Sequence, residues 1–234
     1  MRIFALTGAG VSAESGLGTF RDAGGIWARF DPMKLATPEA FARDPDLVHA
    51  FYDARRRNLL AAEPNAAHVA LARLEAGLAA RGGELFLCTQ NIDDLHERAG
   101  STRVAHMHGE LLKARCLACG QTSRWREDMG VTASCPSCGE TGRLRPHVVW
   151  FGEIPLDLDA IFAALAEADL FVAIGTSGSV YPAAGFVAEA RALGIRTCEI
   201  NLEPSDNAAL FDERRYGRAS EAVPAFVEAV LAAR

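Results

Sequence analysis

Apolar residues follow two rhythms along this chain. In "RIFAL", "ELFLCTQ", "VAHMH", "LFVAIGT" and "TCEINLE" they run almost unbroken for a few positions and stop at Gly, Asn or a charged cluster. Such runs suit short strands buried on both faces of a parallel sheet. In "NAAHVALARLEAGLAA", "DLDAIFAALAEA", "AAGFVAEARALG" and the closing "PAFVEAVLAAR" they return every three or four positions, as in helices with one apolar face. Strands alternating with helices predict an α/β fold on a doubly wound parallel sheet. The alternation breaks twice, over a helical excursion at 22–60 and a cysteine-bearing stretch at 110–146. These two insertions are expected to form a small second domain beside a Rossmann-like domain made of 1–21, 61–109 and 147–234.

Composition narrows the function classes. Half of the 234 residues are hydrophobic, enough for a substantial core, and the formal net charge of −6 argues against a protein that lives on nucleic acid. Residues 111–147 are the local exception, with Lys113, Arg115, Arg124, Arg126, Arg143 and Arg145 set against Glu127, Asp128 and Glu140. No run approaches the roughly 18 apolar residues of a membrane span, and "RIFAL" is too short for a signal-peptide core. A cytoplasmic protein with no membrane partner is expected. Cys88 and Cys198 lie in apolar runs and are expected to be inert core residues.

The other four cysteines carry chemistry. "CLAC", fifteen residues and "CPSC" give Cys116, Cys119, Cys135 and Cys138 the spacing of a zinc ribbon, in which two knuckles offer four thiolates to one tetrahedral ion. A closed four-sulfur site keeps no position for water, so the expected zinc is structural.

Near the N-terminus, "LTGAGVSAESG" places Gly8, Gly10 and Ala13 in the G-x-G-x-x-G/A pattern that lets a pyrophosphate approach the backbone and rest on a helix N-terminus. The second strand ending in a ribose-binding acid, expected about twenty residues later in a redox domain, does not follow. A bound nucleotide that is not a hydride carrier fits this better. Further polar clusters close the strand-like runs: "TQNIDDLHE", "HMHGE", "GTS" and "NLEPS". In an open α/β sheet such strand ends line the ligand crevice.

In this order, "GAGVSAESG…TFRD", "TQNIDDLHERAG", "HMHGE", the two C-x-x-C pairs, "RPHVVWFGE", "GTS", "NLE" and "YGRAS" resemble the sirtuins over nearly the whole chain. Sirtuins are protein lysine deacylases that cleave NAD as a co-substrate, which they bind in a modified Rossmann domain. The resemblance implies that Gly8, Ala9, Gly10, Ala13 and Glu14 lie along the cofactor, with the pyrophosphate on the first three. It puts Thr19, Phe20, Arg21 and Trp27 in the cofactor loop, and Gln90 on the nicotinamide ribose. Asn91, Ile92 and Asp93 would line the nicotinamide pocket, Asn91 and Asp93 with catalytic roles. Gly175, Thr176 and Ser177 would meet phosphates and ribose, Asn201, Leu202 and Glu203 the adenosine ribose, and Ala219 the adenine. The chain departs from the family pattern at Gly18, where Pro or Arg is usual.

His108 is the general-base candidate, since a free imidazole with a pKa of about 6.5 is neutral and basic at cellular pH. The implied mechanism starts when the acyl-lysine carbonyl oxygen attacks the ribose carbon as nicotinamide leaves. His108 then takes a proton from the ribose hydroxyls, the 2′-oxygen attacks the imidate carbon, and water completes release of lysine and 2′-O-acyl-ADP-ribose. "VVWFGE", with Val149, Phe151, Gly152 and Glu153, would receive the acyl-lysine segment of a protein substrate by strand addition.

In "AFYDARRR", Tyr52 and Arg55 share one face of a helix, where a phenol and a guanidinium can grip a carboxylate together. The stretch resembles the sirtuin class that removes succinyl and malonyl groups, and Ala36 occupies that class's small-residue position. Deacetylase and desuccinylase or demalonylase activity is therefore expected. Two other readings stay open: mono-ADP-ribosyl transfer from the same cleaved NAD, and a non-catalytic NAD- or ADP-ribose-sensing module whose ribbon contacts nucleic acid. His108, Asn91 and Asp93 speak against a pure sensor.

Overall fold

The computed structural model describes residues 1–18 and 32–233. The five apolar runs form parallel strands: β1 (Arg2–Thr7), β2 (Glu84–Thr89), β3 (Val104–His106), β7 (Leu170–Ile174) and β8 (Arg196–Asn201). A sixth, β9 (Glu213–Tyr216), joins the edge, and the order is β3-β2-β1-β7-β8-β9. Successive residues point to opposite faces of a strand, and both faces are covered here. Ile3, Ala5, Val172, Ile174 and Ile200 face helices α3 (Ala66–Ala79) and α7 (Ala219–Ala232). Phe4, Leu6, Phe171 and Ala173 face α5 (Leu158–Ala166) and α6 (Phe186–Ala192). This two-sided burial is why those runs lack polar interruptions.

Cys198 sits in the first of these layers and Cys88 in the second. Desolvation raises both thiols, Cys198 to about 12, as inert core residues require.

The helical excursion contributes α1 (Pro38–Arg43) and α2 (Pro45–Ala61), each opened by a proline at its first position. Thr37 Oγ1 accepts from the Ala40 N–H at 3.0 Å and Asp44 Oδ1 from the Leu47 N–H at 3.0 Å, so side-chain caps fix where both helices start. Their apolar faces pack with Leu95, which lies in the short α4 (Leu95–Arg98), and with Leu111, Val148 and Trp150. The cysteine-bearing stretch supplies a three-stranded antiparallel sheet of order β5-β4-β6, made of β4 (Gly109–Cys116), β5 (Thr122–Arg124) and β6 (Leu144–Val148). Its small core joins Ala114, Met129 and Leu144 to two of the cysteines.

Two local expectations are corrected, and one strand is added. The helix foreseen after β1 is replaced, up to Gly18, by two single 3-10 turns, Ala9–Val11 and Ala13–Ser15. Gly16 ends the second in a left-handed conformation (φ 84°), and Asn65 Nδ2 takes the Val11 carbonyl at 2.9 Å, which a continuing helix would need. The last helix starts at Ala219, five residues before the expected Pro224, which stands inside it. Strand β9 was not foreseen because "ERRY" is a polar, largely exposed edge with no apolar run. Among the described residues, no helix is long and apolar enough to cross a membrane.

Candidate active site

The chain reverses its winding between β1 and β7, and the carboxyl ends of β1, β2, β7 and β8 open there into a cleft of about 930 Å³. A crevice at such a switch point is where open α/β sheets bind ligands. Gly8, Gln90, Gly175 and Asn201 line it, one at each strand end.

The glycines hold the two central loops together. Gly8 and Gly10 donate to the carbonyls of Ile174 (2.9 Å) and Gly175 (2.8 Å). A Cβ on Gly8 would lie 2.7 Å from the Gly175 oxygen, and one on Gly10 2.7 Å from the Gly175 Cα. Gly175 itself is left-handed (φ 60°), with no room for a side chain against the Val11 nitrogen. The fingerprint glycines thus allow a loop-to-loop contact, and their own N–H groups are consumed by it. Among the described residues, the N–H groups of Ala9, Ala13 and Glu14 keep no hydrogen-bond partner, and all three residues line the cleft. Unpaired main-chain donors of this kind suit a phosphate oxygen. The Glu14 carboxylate turns away to the start of α7, accepting from Ser220 N (2.9 Å) and Oγ (2.8 Å), which holds its pKa down.

Behind this loop lies a buried polar relay. The Asn65 N–H donates to His68 Nδ1 (3.2 Å), leaving the proton of a neutral ring on Nε2, 3.3 Å from Ser12 Oγ. Ser12 also accepts from Asn91 Nδ2 (3.2 Å) and donates to Asp93 Oδ2 (3.0 Å). Burial pushes His68 down to about 4, so it stays neutral, and burial pushes Asp93 up against the bonds from Leu95 N and Ser12. The relay fixes Asn91 and Asp93 side by side on the cleft wall. Sequence reading missed Ser12 and His68; Asn65 and His68, three apart at the head of a helix, were the available signal.

His108 follows β3 and lines the cleft. Its Nδ1 lies 3.0 Å from the Gln90 carbonyl oxygen, which only accepts, so Nδ1 carries the hydrogen and Nε2 of the neutral ring is the free base. Burial lowers its pKa, offset in part by that hydrogen bond. His106 points elsewhere: its Nε2 meets Glu97 Oε1 at 2.6 Å, which raises its pKa against the opposing effect of burial. Gln90 Nε2 donates to Thr176 Oγ1 (3.2 Å), and Asn201 Nδ2 to the Thr176 carbonyl (2.8 Å). Ile92, Ser177, Leu202, Glu203 and Ala219 complete the candidate cofactor lining on the cleft. Thr19, Phe20, Arg21 and Trp27 lie outside the described residues.

At the other end of the cleft, α2 presents Tyr52 and Arg55 beside Ala36, Val148 and Trp150. Tyr52 is buried, and its hydroxyl accepts from Trp150 Nε1 (2.9 Å), which leaves the phenol hydrogen for another acceptor. The Arg55 guanidinium lies 5.8 Å from the Tyr52 ring centre and is shifted down by burial. Desolvated cations of this kind favour an anionic ligand. Val149, Phe151, Gly152 and Glu153 also line the cleft. The N–H groups of Val149 and Phe151 bond to the carbonyls of His108 (2.8 Å) and Ala36 (2.9 Å), and the Glu153 carboxylate is taken by Arg145 (2.7 and 2.9 Å) and Trp150 N (2.8 Å). Glu153 therefore braces this segment, and the Gly152 N–H is unpaired among the described residues.

The ribbon cysteines converge at one point, their four sulfurs within 4.8 Å of one another. Cys116 and Cys138 sulfurs are 3.8 Å apart, as are those of Cys119 and Cys135. Four sulfurs about 2.3 Å from a tetrahedral zinc stand about 3.8 Å from each other. Ala118 N and Ser137 N point at the first sulfur of each knuckle (3.4 Å), as donors to thiolates. The donor set fits one structural zinc.

Comparison with known proteins adds three findings. The Sir2 family model matches residues 8–182. The chain is 66% identical over 232 residues to an NAD-dependent protein deacylase of Caulobacter vibrioides, covering 99% of this chain and 98% of that one, and 57% identical to one of Escherichia coli K12, covering 98% and 82%. Among solved structures, a Sir2 homolog–NAD complex is 40% identical with a TM-score of 0.87, covering 98% of this chain and 89% of the other. A Sir2 complex with a deacetylated peptide and 3′-O-acetyl ADP-ribose is 29% identical with a TM-score of 0.78, covering 98% and 92%.

Proposed function

The chain belongs to the Sir2 family, and from that premise we propose that this NAD-dependent protein deacylase removes succinyl and malonyl as well as acetyl groups from lysine, yielding nicotinamide and 2′-O-acyl-ADP-ribose. One observation carries the acyl range: one helix face sets the buried Tyr52 and the partly buried Arg55 at the end of the cleft, with the small Ala36 on the same lining. A distal carboxylate placed there gains a charge-assisted pair with Arg55 and a hydrogen bond from Tyr52, while acetyl gains neither.

Bound NAD supplies an electrophilic ribose carbon and a nicotinamide leaving group. The unpaired N–H groups of Ala9, Ala13 and Glu14 hold its pyrophosphate, and Gln90 with Thr176 orients the ribose. Asn91 and Asp93, locked by Ser12 and His68, shape the nicotinamide pocket. His108 accepts the ribose hydroxyl proton at Nε2 and leans on the Gln90 carbonyl as it becomes charged. Peptide joins Val149–Glu153 by strand addition, for which the Gly152 N–H, unpaired among the described residues, is a ready donor. Cys116, Cys119, Cys135 and Cys138 hold zinc away from the chemistry, as folding energy for the ribbon.

Arg55→Met is the test. It is expected to raise KM for a succinyl-lysine peptide by about 10- to 150-fold, matching roughly 1.5 to 3 kcal/mol for a charged hydrogen bond, with little change for the acetyl peptide. Equal losses on both substrates would reduce Arg55 to a structural residue.

A further inference from the structure

Four of the basic residues of 111–147 stand at facing positions of the three-stranded sheet. Lys113 on β4 stands directly opposite Arg124 on β5, and Arg115 on β4 opposite Arg145 on β6. Like charges facing each other across strands destabilise a sheet unless they are neutralised or serve elsewhere. Two of the charges are neutralised within the chain: Lys113 pairs with Glu110, and the buried Arg145 with Glu153. Arg115 and Arg124 are exposed and form no ion pair among the described residues.

This face borders the segment assigned above to substrate. A second hollow, of about 370 Å³, is lined by Arg115, Arg145 and His147 on one side and by Gly152 and Ile154 on the other. Val148, Val149, Gly152 and Glu153 border both this hollow and the main cleft. Ile154 is 79% exposed, an apolar wall of the hollow that Arg115 also lines, where the arginine's charge acts on the Glu153 carboxylate. A chain lying along Val149–Glu153 with its acyl-lysine in the cleft therefore has neighbouring residues within reach of Arg115.

We propose that the arginine face centred on Arg115 receives acidic side chains that flank the acyl-lysine of a protein substrate, so that the enzyme selects acidic sequence contexts. The proposal rests on the deacylase reading and on peptide lying along Val149–Glu153. A peptide is favoured over nucleic acid because the hollow adjoins the reaction cleft and the chain as a whole is acidic.

The experiment compares kcat/KM on acetyl-lysine peptides of one neutral sequence in which a single Glu or Lys is walked across the flanking positions. The wild-type enzyme is expected to prefer Glu over Lys on one side of the acyl-lysine by about two- to fivefold, the range of an exposed ion pair, and to lose this preference at high salt. Arg115→Glu is expected to reverse the preference and to leave the neutral peptide unchanged. Because Arg115 adjoins Cys116, zinc content is measured alongside, and Arg124→Glu, away from the cysteines, is expected to weaken the preference as well. Equal wild-type rates on Glu and Lys peptides overturn the proposal, as does a preference that survives in a zinc-loaded Arg115→Glu enzyme. If instead an oligonucleotide binds wild type but neither variant, and peptides are not discriminated, the face serves nucleic acid and the proposal fails. Absence of turnover on every acyl peptide would strike the deacylase reading, a different outcome.

Discussion

At His108, one hydrogen bond decides the chemistry. The Gln90 carbonyl holds the Nδ1 hydrogen, which leaves Nε2 as the nitrogen proposed to act as base, and burial keeps the imidazole neutral to lower pH than a free histidine. A base must be neutral to accept a proton, so the acid limb of the kcat/KM profile is expected below pH 6.5, the free histidine value. His108→Ala should lower deacylation by about 10²- to 10⁴-fold while NAD affinity, read by calorimetry, holds. A folded variant with near-normal turnover contradicts the assignment. The sequence singled out His108 through "HMHGE" and the neighbouring motifs, and the fold adds where His106 goes, which is onto Glu97. The link between Ser12 and His68 was not legible because it is a contact between residues 56 positions apart, although the Asn65–His68 spacing marked the helix start.

Elements whose cause is local were legible. The apolar runs became strands because both sheet faces are buried, and the C-x-x-C pairs became knuckles because two residues between cysteines suffice for the turn. The element that joins helical insertion and ribbon was not. Arg56, 1% exposed, pairs with Asp53, and its side chain donates to the carbonyls of Leu111 and Glu127, each at 3.2 Å. Asp53 in turn accepts from Met129 N at 3.0 Å. In the string "DARRR" this arginine looks no different from Arg57, which makes an exposed pair with Asp128. Arg56→Leu leaves Asp53 buried without its counter-charge and is expected to cost about 3 to 5 kcal/mol, seen as a lower midpoint in denaturant melts. An unchanged midpoint would show that the pair is dispensable. Replacing Cys116 and Cys119 together by Ser should release zinc, measured by metal analysis, and lower the melting temperature; a zinc-free protein that melts and turns over like wild type would contradict a structural role.

For the whole molecule, strand order does what no single motif does. Reversal of winding between β1 and β7 opens the cleft, the fingerprint glycines close the two loops onto each other, and α2 closes the far end with Tyr52 and Arg55. The residues proposed to hold the nucleotide, act as base and receive the acyl group therefore line one continuous cleft, which is the physical reason to propose that NAD cleavage is coupled to lysine deacylation. That coupling is measured directly by mixing NAD with otherwise identical peptides bearing acetyl-lysine, succinyl-lysine or unmodified lysine, and counting nicotinamide and freed lysine together. Nicotinamide release is expected only with the two acylated peptides, one molecule for each lysine freed. Release that ignores the peptide, or that outruns the lysine freed, would contradict the coupling.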